Sequence, residues 1–279
     1  MFISGIITLR DPIEASYPFM EGIISLLPIV DEFLINDGGS TDGSLQYLER
    51  LAKMFPKIKL YHIPDHPGLF WDCIDEVLNF LAKEAKGEWI IEDQCDEMFD
   101  EKTLFDYRKQ IETVSFQGFN ALRQKRRDTF QLNTVDPIAY QVVRAVRNVP
   151  NLVSHEGGDC YCIGPYSARE GYTSHNCPPE FDSDIELYHI LDTYQLSYKR
   201  KARRHALYLS TISQDRLDRW NLYKDREDCS FYYHKKGDPI LDYIPALAKD
   251  LGGIQYEVRE ELFNIEWLNK ITGLRYDII

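Results

Sequence analysis

The sequence predicts an α/β fold with a mostly parallel central sheet and helices on both faces. Across residues 1–92, apolar runs of strand length alternate with amphipathic helical patterns. A helix between successive strands is the connection that parallel strands need. Each strand is followed by a polar or glycine-containing turn, as in open sheets that bind ligands at the carboxyl ends of their strands.

Turn and helix signals divide the chain into successive elements. Strands are predicted at 2–9, 33–35, 57–63 and 88–92, with helices at 11–27, 40–53 and 69–85 between them. Next come a helix at 101–113, strands at 116–122 and 139–146, a capped helix at 179–193 and a strand at 196–202. The basic run 123–127 is predicted to be a solvated hairpin or a surface facing a substrate. Helical patterns at 240–251 and 259–271 predict a C-terminal helical appendage over 213–279.

Composition limits the class of protein. The 279 residues are 44% hydrophobic, enough for one large α/β domain with an appendage. A net charge of −13 is opposite to that of a typical nucleic-acid binder. Since the apolar runs are too short for a signal-peptide core or a membrane span, we expect a soluble, cytoplasmic protein without a transmembrane segment. The six cysteines follow no disulfide framework, and Cys160 and Cys162, predicted on one side of a strand, have no second pair with zinc spacing.

A glycine-rich acidic turn follows the second strand. The apolar run 33–35 ends in Asn36 and Asp37, which two glycines follow, and neither a strand nor a helix tolerates this sequence well. One of residues 40–42 then caps the next helix. Strand, turn and capped helix in this order place a ligand at the carboxyl ends of the strands in open sheets. The alternative is an ordinary connection between a strand and a helix.

A second acidic turn follows the fourth strand. Four carboxylates fall within residues 92–97, and such a cluster repels itself unless a cation binds among its members. Because the carboxyl ends of parallel strands meet at one edge of a sheet, Asp37 and Asp96 are expected to face one crevice. The alternative is a solvated acidic turn.

Both turns resemble a known family. The segment "DEFLINDGGSTDGS", residues 31–44, is similar to the "DEIIVVDDGSTDGT" segment of glycosyltransferase family 2, which has the GT-A fold. The preceding "YPFMEG" and "LPIVDEF" runs resemble a subgroup with "YPFLES…LPxVDEF", and "EDQCDEM" at 92–98 resembles that subgroup's "YLQADEV". The resemblance covers residues 1 to about 105 well. It implies a GT-A domain at 1–212, with a donor half at 1–105 and an acceptor half at 106–212.

The resemblance implies a nucleotide-sugar site at the two turns. In that family an acid in the first turn binds the base or ribose; Asp37 matches it, and Asn36 replaces the aspartate before it. An Asp-x-Asp in the second turn holds Mn²⁺ or Mg²⁺ against the donor diphosphate; Asp96 matches its second member, and Gln94 replaces its first. The predicted donor-site residues are Thr8, Arg10, Asn36, Asp37, Gly39, His66, Asp93 and Gln94, with Asp96 as a metal ligand.

The acceptor half carries weaker matches. The "RAVRN" run at 144–148 resembles the family's "RIFRN" and leads to Glu156 in a region expected to form the acceptor pocket. In much of the family a helix opening "EDxDL" supplies the catalytic base. Asp184 fits this pattern, although Ser183 replaces its glutamate. Asp184 is therefore the first candidate for the base, with Glu156 and Asp159 as alternatives, and His205 is a predicted metal ligand after the next strand.

The functional hypothesis is a metal-assisted glycosyltransferase. By resemblance it is inverting and moves a sugar from a UDP- or GDP-sugar to a hydroxyl of a glycan, lipid-linked or protein acceptor. A carboxylate would remove the acceptor proton, and the C-terminal helices are a possible homo-oligomer interface. One alternative is a nucleotidyltransferase, although such enzymes usually carry a Gly-rich loop with Arg or Lys after the first strand, where this chain has only Arg10. Another is a non-catalytic nucleotide- or sugar-binding protein on a degenerate transferase fold.

Overall fold

The computed structural model of the chain describes residues 1–13, 17, 19–63, 70–99, 103–118, 120–130, 134–155, 160–163 and 180–192. Within these ranges the main feature is an eight-stranded sheet, accompanied by a separate two-stranded sheet. The strands are β1 Ile3–Leu9, β2 Glu32–Asp37, β3 Ile58–Tyr61, β4 Trp89–Glu92, β5 Glu97–Phe99, β6 Ala121–Phe130, β7 Thr134–Arg147, β8 Leu152–His155, β9 Cys160–Ile163 and β10 Glu180–Asp192. The helices are α1 Phe19–Leu26, α2 Ser44–Met54, α3 Phe70–Glu84 and α4 Leu104–Phe116.

The large sheet has a parallel half and a mixed half. Its order is β3-β2-β1-β4-β7-β6-β10-β5. The first four strands run parallel, with Thr8 opposite Asn36 and Ile6 opposite Glu92. Beyond them, β7 is antiparallel to β4 and β6, β10 is parallel to β6, and β5 is antiparallel to β10. The sheet as a whole is therefore mixed, and the predicted parallel arrangement applies to the β3-β2-β1-β4 half.

Two buried clusters cover opposite faces of the parallel half, because alternate residues of a strand face opposite sides. On one face Ile7 and Ile35 pack with residues of α1, α2 and α4. On the other face Ile6 and Leu34 pack with α3 and with Tyr161 of the small β8–β9 sheet. The prediction of helices on both faces is thus confirmed for the described part of the chain.

The first half of the chain folds as predicted. The strands expected at 2–9, 33–35, 57–63 and 88–92 are β1 to β4, with ends that differ by at most two residues. Helices α2, α3 and α4 also lie close to their predicted places. Of the helix expected at 11–27, residues 11–13 are not helical, and Phe19–Leu26 forms helix α1.

The second half departs from the prediction. The helix expected at 179–193 is wrong, because this segment is strand β10. The strand expected from Phe116 is also shifted: Phe116 ends α4, and the strand β6 begins at Ala121. The basic run 123–127 lies inside β6 rather than in a hairpin turn. Strands β5 and β8 were not predicted.

Several predictions fall outside the described residues. These are the strand at 196–202, the C-terminal appendage at 213–279, and the positions of His66, Glu156, Asp159 and His205. Among the residues that the structure does describe, no helix is long and apolar enough to span a membrane.

Candidate functional site

The carboxyl ends of β1 and β2 form one wall of a candidate site. The two strands end in register, with Leu9 opposite Asp37, and the Gly38 amide donates to the Leu9 carbonyl at 2.8 Å. The glycine-rich turn therefore begins at the sheet edge itself, as the sequence predicted. Because β1 lies between β2 and β4, this turn is two strands away from the acidic turn after β4.

Asp37 organises the glycine-rich turn. Its carboxylate accepts hydrogen bonds from the amides of Gly39 at 3.1 Å and Ser40 at 3.1 and 3.3 Å. Asp37 is only 2% exposed. Gly39 has φ of 87°, a left-handed conformation that glycine adopts without steric cost. The Asp37 side chain thus sets the shape of the turn that would surround a ligand.

Asn36 joins the ends of three strands. Its fully buried amide nitrogen donates to Thr8 Oγ1 at 3.1 Å and to the Ile63 carbonyl at 3.2 Å. Its amide oxygen accepts from the Ile63 backbone at 2.8 Å. An aspartate cannot donate these bonds at neutral pH. Asn36 and Thr8, predicted as ligand contacts, therefore hold the ends of β1 and β2 together with Ile63, two residues after β3.

The loop after β1 accepts a hydrogen bond from the next backbone amide of the same turn. Asp11, at φ 46°, accepts a 2.6 Å hydrogen bond from the Thr41 amide, while its own amide donates to Ser40 Oγ at 2.9 Å. The amides of 39, 40 and 41 are thus all bonded to protein carboxylates. A phosphate group cannot use them as an anion cradle. Arg10 lies at the edge of this loop, with its Nε 3.4 Å from Asp11 Oδ2 and its side chain 38% exposed.

Asp93, the first acid after β4, points into the protein. It is 2% exposed, and neither of its carboxylate oxygens has a hydrogen-bond partner among the described residues. It packs against α1, where a Cβ on Gly22 would lie 3.2 Å from Asp93 Oδ2. Burial, and then the nearby Glu97 carboxylate, raise the pKa of Asp93 well above its usual value. The prediction that Asp93 contacts a donor does not fit this burial.

Asp96, the predicted metal ligand, lies beside a histidine that the sequence reasoning missed. His189 Nε2 is 3.2 Å from Asp96 Oδ2, and the two side chains are 13% and 11% exposed. His189 belongs to β10, where it pairs with Glu97 of β5. The helix predicted for this segment gave no reason to place His189 near the acidic turn. As part of a strand, His189 lies next to β5, which begins directly after Asp96.

A buried ion pair fixes the segment directly after Asp96. Glu97 and Arg144 are both fully buried, and Arg144 donates to the two carboxylate oxygens at 2.6 and 2.8 Å. The Arg144 amide also donates to Gln124 Oε1 at 2.9 Å. This bidentate pair joins β5 to β7, although two other strands lie between them in the sheet. Asp96 is thus attached to a rigid part of the sheet.

The residues of the acidic turn fit a hard divalent cation in part. Asp96 offers carboxylate oxygens and His189 a ring nitrogen, and Gln94 is half-buried in the same turn. Mg²⁺ is commonly bound by one or two protein groups together with substrate phosphates and water. Within the described ranges, no group of three or more His, Cys, Asp or Glu side chains could hold a metal ion. Any metal here would therefore depend on oxygen atoms from a ligand.

The β8–β9 hairpin is attached to the same sheet edge. The buried Tyr161 hydroxyl donates to Glu92, the last residue of β4, and the Ser154 amide donates to Asn79 Oδ1 at 2.7 Å. Burial raises the pKa of Tyr161 well above its usual value, and the Glu92 carboxylate adds to this. His155 and Cys160 are the final described pair of the hairpin, one position beyond the pairing of Ser154 with Tyr161.

Asp184, the first candidate for the base, lies on an exposed face of β10. Its side chain is 95% exposed and its Oδ1 is 2.6 Å from Lys125 Nζ, a hydrogen bond that lowers the pKa of Asp184. It precedes His189 by five residues of the same strand, which corresponds to about 16 Å at ~3.3 Å per residue. Since the predicted helix is a strand, the helix N-terminus that would have supported Asp184 does not exist.

Comparison with known proteins gives distant structural matches. No protein-family model matches the sequence, and neither does any curated protein. A crystal structure of S. aureus TarS is matched at 15% identity and a TM-score of 0.44, over 90% of this chain and 54% of that one. The chain therefore spans about half the length of that protein. The resemblance to glycosyltransferase family 2 stays a prediction.

Two further solved structures give similar values. The S. aureus TarS 1–349 complex with UDP is matched at 15% identity and a TM-score of 0.44, over 100% of this chain and 94% of that one. A mannosyltransferase from Pyrobaculum calidifontis, in complex with GDP-Man and Mn²⁺, is matched at 13% identity and a TM-score of 0.44, over 90% of this chain and 76% of that one. At these scores and identities the matches do not assign a function to this chain.

Proposed function

We propose that this chain is a glycosyltransferase that moves a sugar from a nucleotide-diphosphate donor to an acceptor hydroxyl, with inversion at the anomeric carbon. The observation that carries the proposal is the position of Asp37 and Asp96 after two strands of the parallel half of the sheet, at its carboxyl edge. Strand β2, which ends at Asp37, and strand β4, which ends at Glu92 four residues before Asp96, are two strand spacings apart, about 10 Å at ~4.8 Å per spacing. This separation suits a ligand with a nucleoside at one end and a diphosphate at the other.

The hydrogen bonds of the two turns suggest which part of the donor each turn would bind. The amides of residues 39–41 in the first turn are bonded to Asp37 and Asp11, so they do not suit a phosphate, and we place the base or ribose of the donor against this turn instead. The diphosphate would lie at the second turn, where Asp96 and His189 would hold Mn²⁺ or Mg²⁺. A bound divalent cation would neutralise the charge of the leaving diphosphate.

We place the catalytic base at Glu156, ahead of Asp184. The hairpin that carries residues 156–159 is bonded through Tyr161 to Glu92, next to the acidic turn. Asp184, in contrast, is paired with Lys125 and lies five residues along β10 from His189. A base must come within hydrogen-bond reach of the acceptor hydroxyl. Asp184 does not meet that requirement for an acceptor bound at the acidic turn, so Glu156, which lies outside the described residues, is the candidate that we propose to test first.

The test is a calorimetric titration of the 279-residue protein with UDP and GDP, with Mn²⁺ and with a chelator. We expect one of the two nucleotides to bind and the chelator to weaken that binding. Asp96→Asn should abolish the metal-dependent part, while Glu49→Gln, the same kind of change on the exposed face of α2, should leave it intact. Asp37→Ala should weaken binding by about tenfold or more, the scale of a lost hydrogen bond to a charged group.

Two results would oppose the proposal in different ways. Absence of binding for both nucleotides, with and without metal, would remove the nucleotide-sugar site altogether. Binding without any turnover of UDP- or GDP-sugars to free nucleotide, across a panel of acceptors, would instead support the alternative of a non-catalytic nucleotide-binding protein.

A further inference from the structure

Arg144 lies at a β-bulge in strand β7. The register between β6 and β7 shifts directly after Leu122, and Arg144 is the extra residue of β7 at this point. Its amide donates to Gln124 Oε1 at 2.9 Å, and both residues are fully buried. Bulges change the direction of a side chain and often occur next to active sites. Here the Arg144 guanidinium reaches Glu97 of β5, although two strands lie between β7 and β5 in the sheet.

Glu97 is adjacent to both candidate metal ligands. It directly follows Asp96 in the chain, and it lies opposite His189 in the ladder between β5 and β10. Its two carboxylate oxygens accept hydrogen bonds from Arg144 at 2.6 and 2.8 Å. Such a bidentate pair fixes the orientation of a carboxylate as well as its position. The approach of Asp96 to His189, at 3.2 Å, is therefore held in place from β7.

Other charged groups surround this ion pair. The other carboxylates of the acidic turn lie in the same neighbourhood, because they and Arg144 all act on the pKa of Asp93. A second guanidinium, that of Arg126, has its Nη1 3.9 Å from Glu97 Oε1, which is beyond hydrogen-bond distance. Arg144 differs from these groups in geometry rather than in charge, since two of its nitrogens bond directly to Glu97.

We propose that Arg144 is a positioning residue for the cation and diphosphate of the nucleotide donor, and that it acts through Glu97 on the spacing between Asp96 and His189. This inference rests on the proposed function. Loss of a group that holds metal ligands in place typically weakens metal binding by about 10–100-fold. Lysine at position 144 would keep the charge but would offer one nitrogen instead of the planar fork, so it could not replace the bidentate pair.

Arg147 provides a matched control on the same strand. It donates to the Ser115 carbonyl at 2.6 Å and to Ser115 Oγ at 2.7 Å, and its guanidinium lies 5.7 Å from the centre of the Trp89 ring. Trp89 begins β4, whereas the acidic turn follows the other end of that strand. Arg147→Lys thus disturbs a comparable set of contacts at a distance from the proposed cation site.

The test separates the metal-dependent part of nucleotide binding from the rest. The 279-residue protein and the variants Arg144→Lys and Arg147→Lys are titrated with UDP and GDP, with Mn²⁺ and with a chelator, and their thermal unfolding is followed. The ratio of the Kd in chelator to the Kd in Mn²⁺ measures the contribution of the metal. We expect Arg144→Lys to lower this ratio by about tenfold or more, with the Kd in chelator unchanged. Arg147→Lys should lower the melting temperature and leave the ratio as in the parent protein.

The possible outcomes separate this inference from the proposed function. An unchanged ratio in a folded Arg144→Lys protein, or an equal drop in Arg147→Lys, would overturn it. If Arg144→Lys does not fold, the double variant Arg144→Met/Glu97→Met decides, because it removes the ion pair without leaving one of its charges buried. That variant should fold and show the lowered ratio, and a ratio like that of the parent would again overturn the inference.

The parent protein supplies the remaining distinction. If it binds a nucleotide equally well with Mn²⁺ and with a chelator, this inference fails while the nucleotide site stands. If it binds no nucleotide under either condition, the proposed function itself fails.

Discussion

At the scale of single residues, Asn36 shows how a departure from a familiar motif can be structural. The resembling family has an aspartate at this position, and its loss could suggest a degenerate site. Here the amide donates to Thr8 and Ile63 and accepts from Ile63, so that three strand ends are joined by one buried side chain. The replacement therefore changes how the sheet edge is held, while Asp37 keeps the shape of the turn through its bonds to the Gly39 and Ser40 amides.

Restoring the aspartate should accordingly destabilise the protein. Asn36→Asp removes both donated hydrogen bonds and places a carboxylate against the Ile63 carbonyl, and we expect a loss of about 1–3 kcal/mol in the free energy of unfolding. Urea denaturation at pH 7 measures it. Thr8→Val, which removes only one of the partners, should cost less. A stable Asn36→Asp protein with improved nucleotide binding would mean that Asn36 stands in for a ligand-binding aspartate.

Asp93 is a second residue whose effect on the free energy of unfolding can be predicted. Its carboxyl group is buried against α1 without a hydrogen-bond partner among the described residues, and its pKa is raised well above the usual 3.8. The folded protein therefore favours the neutral form. Stability from this group is fully present below pH 3.8, the unfolded value, and is lost as the pH rises toward the folded pKa.

Asp93→Asn should therefore stabilise the protein at neutral pH. Asparagine keeps the shape of the neutral acid and cannot ionise, so we expect a gain of about 1 kcal/mol or more in the free energy of unfolding at pH 7. The variant and the parent protein should converge as the pH falls toward 4. Thermal unfolding between pH 4 and 8 measures this difference, with Glu49→Gln as the control. A destabilised variant at pH 7 would indicate that Asp93 is ionised and bound to a partner.

At the scale of elements, β10 is where local pattern and observed structure disagree. Asp182, Ser183 and Asp184 have the composition of a helix start, which is why a helix was predicted. In the structure Ser183, Ile185 and Leu187 are buried, while Asp182 and Asp184 are exposed. This period of two marks a strand with one buried face. The partners that decide it, β6 and β5, are far away in the sequence, so no local signal could report them.

Substitutions in β10 can test the strand directly. On a strand Ile185 and Leu187 share a face, whereas on a helix they would lie on nearly opposite sides. Ile185→Ala and Leu187→Ala should therefore each cost about 2–5 kcal/mol of unfolding free energy. Asp184→Ala, between them, should change it by no more than about 0.5 kcal/mol. Chemical denaturation of the three variants gives the comparison. A large cost at only one of the two apolar positions would favour the helix.

The contrast between local sequence patterns and long-range strand pairing explains how much of the molecule was predictable. Strands β1 to β4 and their helices depend on periodicity, caps and turns within about 20 residues, so the sequence reveals them, together with Asp37 and Asp96 at their ends. The pairs Glu97–Arg144 and Asp96–His189 join residues 47 and 93 positions apart. They arise from the mixed half of the sheet, and strand pairing over such distances leaves no local pattern. The burial of Asp93 could not be predicted from local sequence either, because it depends on packing against α1, about 70 residues earlier in the chain.

At the scale of the whole molecule, the two halves of the sheet meet at the acidic turn. The parallel half supplies the glycine-rich turn, and the mixed half supplies His189, Arg126 and the partner of Glu97. The β8–β9 hairpin covers the face that α3 occupies and is bonded to the end of β4. The acidic turn is thus contacted from three directions by elements distant in sequence. Such a place suits a reaction in which donor, metal and acceptor must be brought together.

This arrangement leads to a prediction about the base. If the transfer occurs at the acidic turn, Glu156→Gln should lower kcat by at least about 10²-fold, the usual scale for a lost general base, with donor affinity unchanged. Asp184→Asn, the matched change on the exposed face of β10, should retain most of the activity, since Asp184 is 95% exposed and paired with Lys125. Turnover of the nucleotide-sugar identified by binding, at saturating acceptor, measures both. An inactive Asp184→Asn protein beside an active Glu156→Gln protein would return the role to Asp184 and would require β10 to move during the reaction.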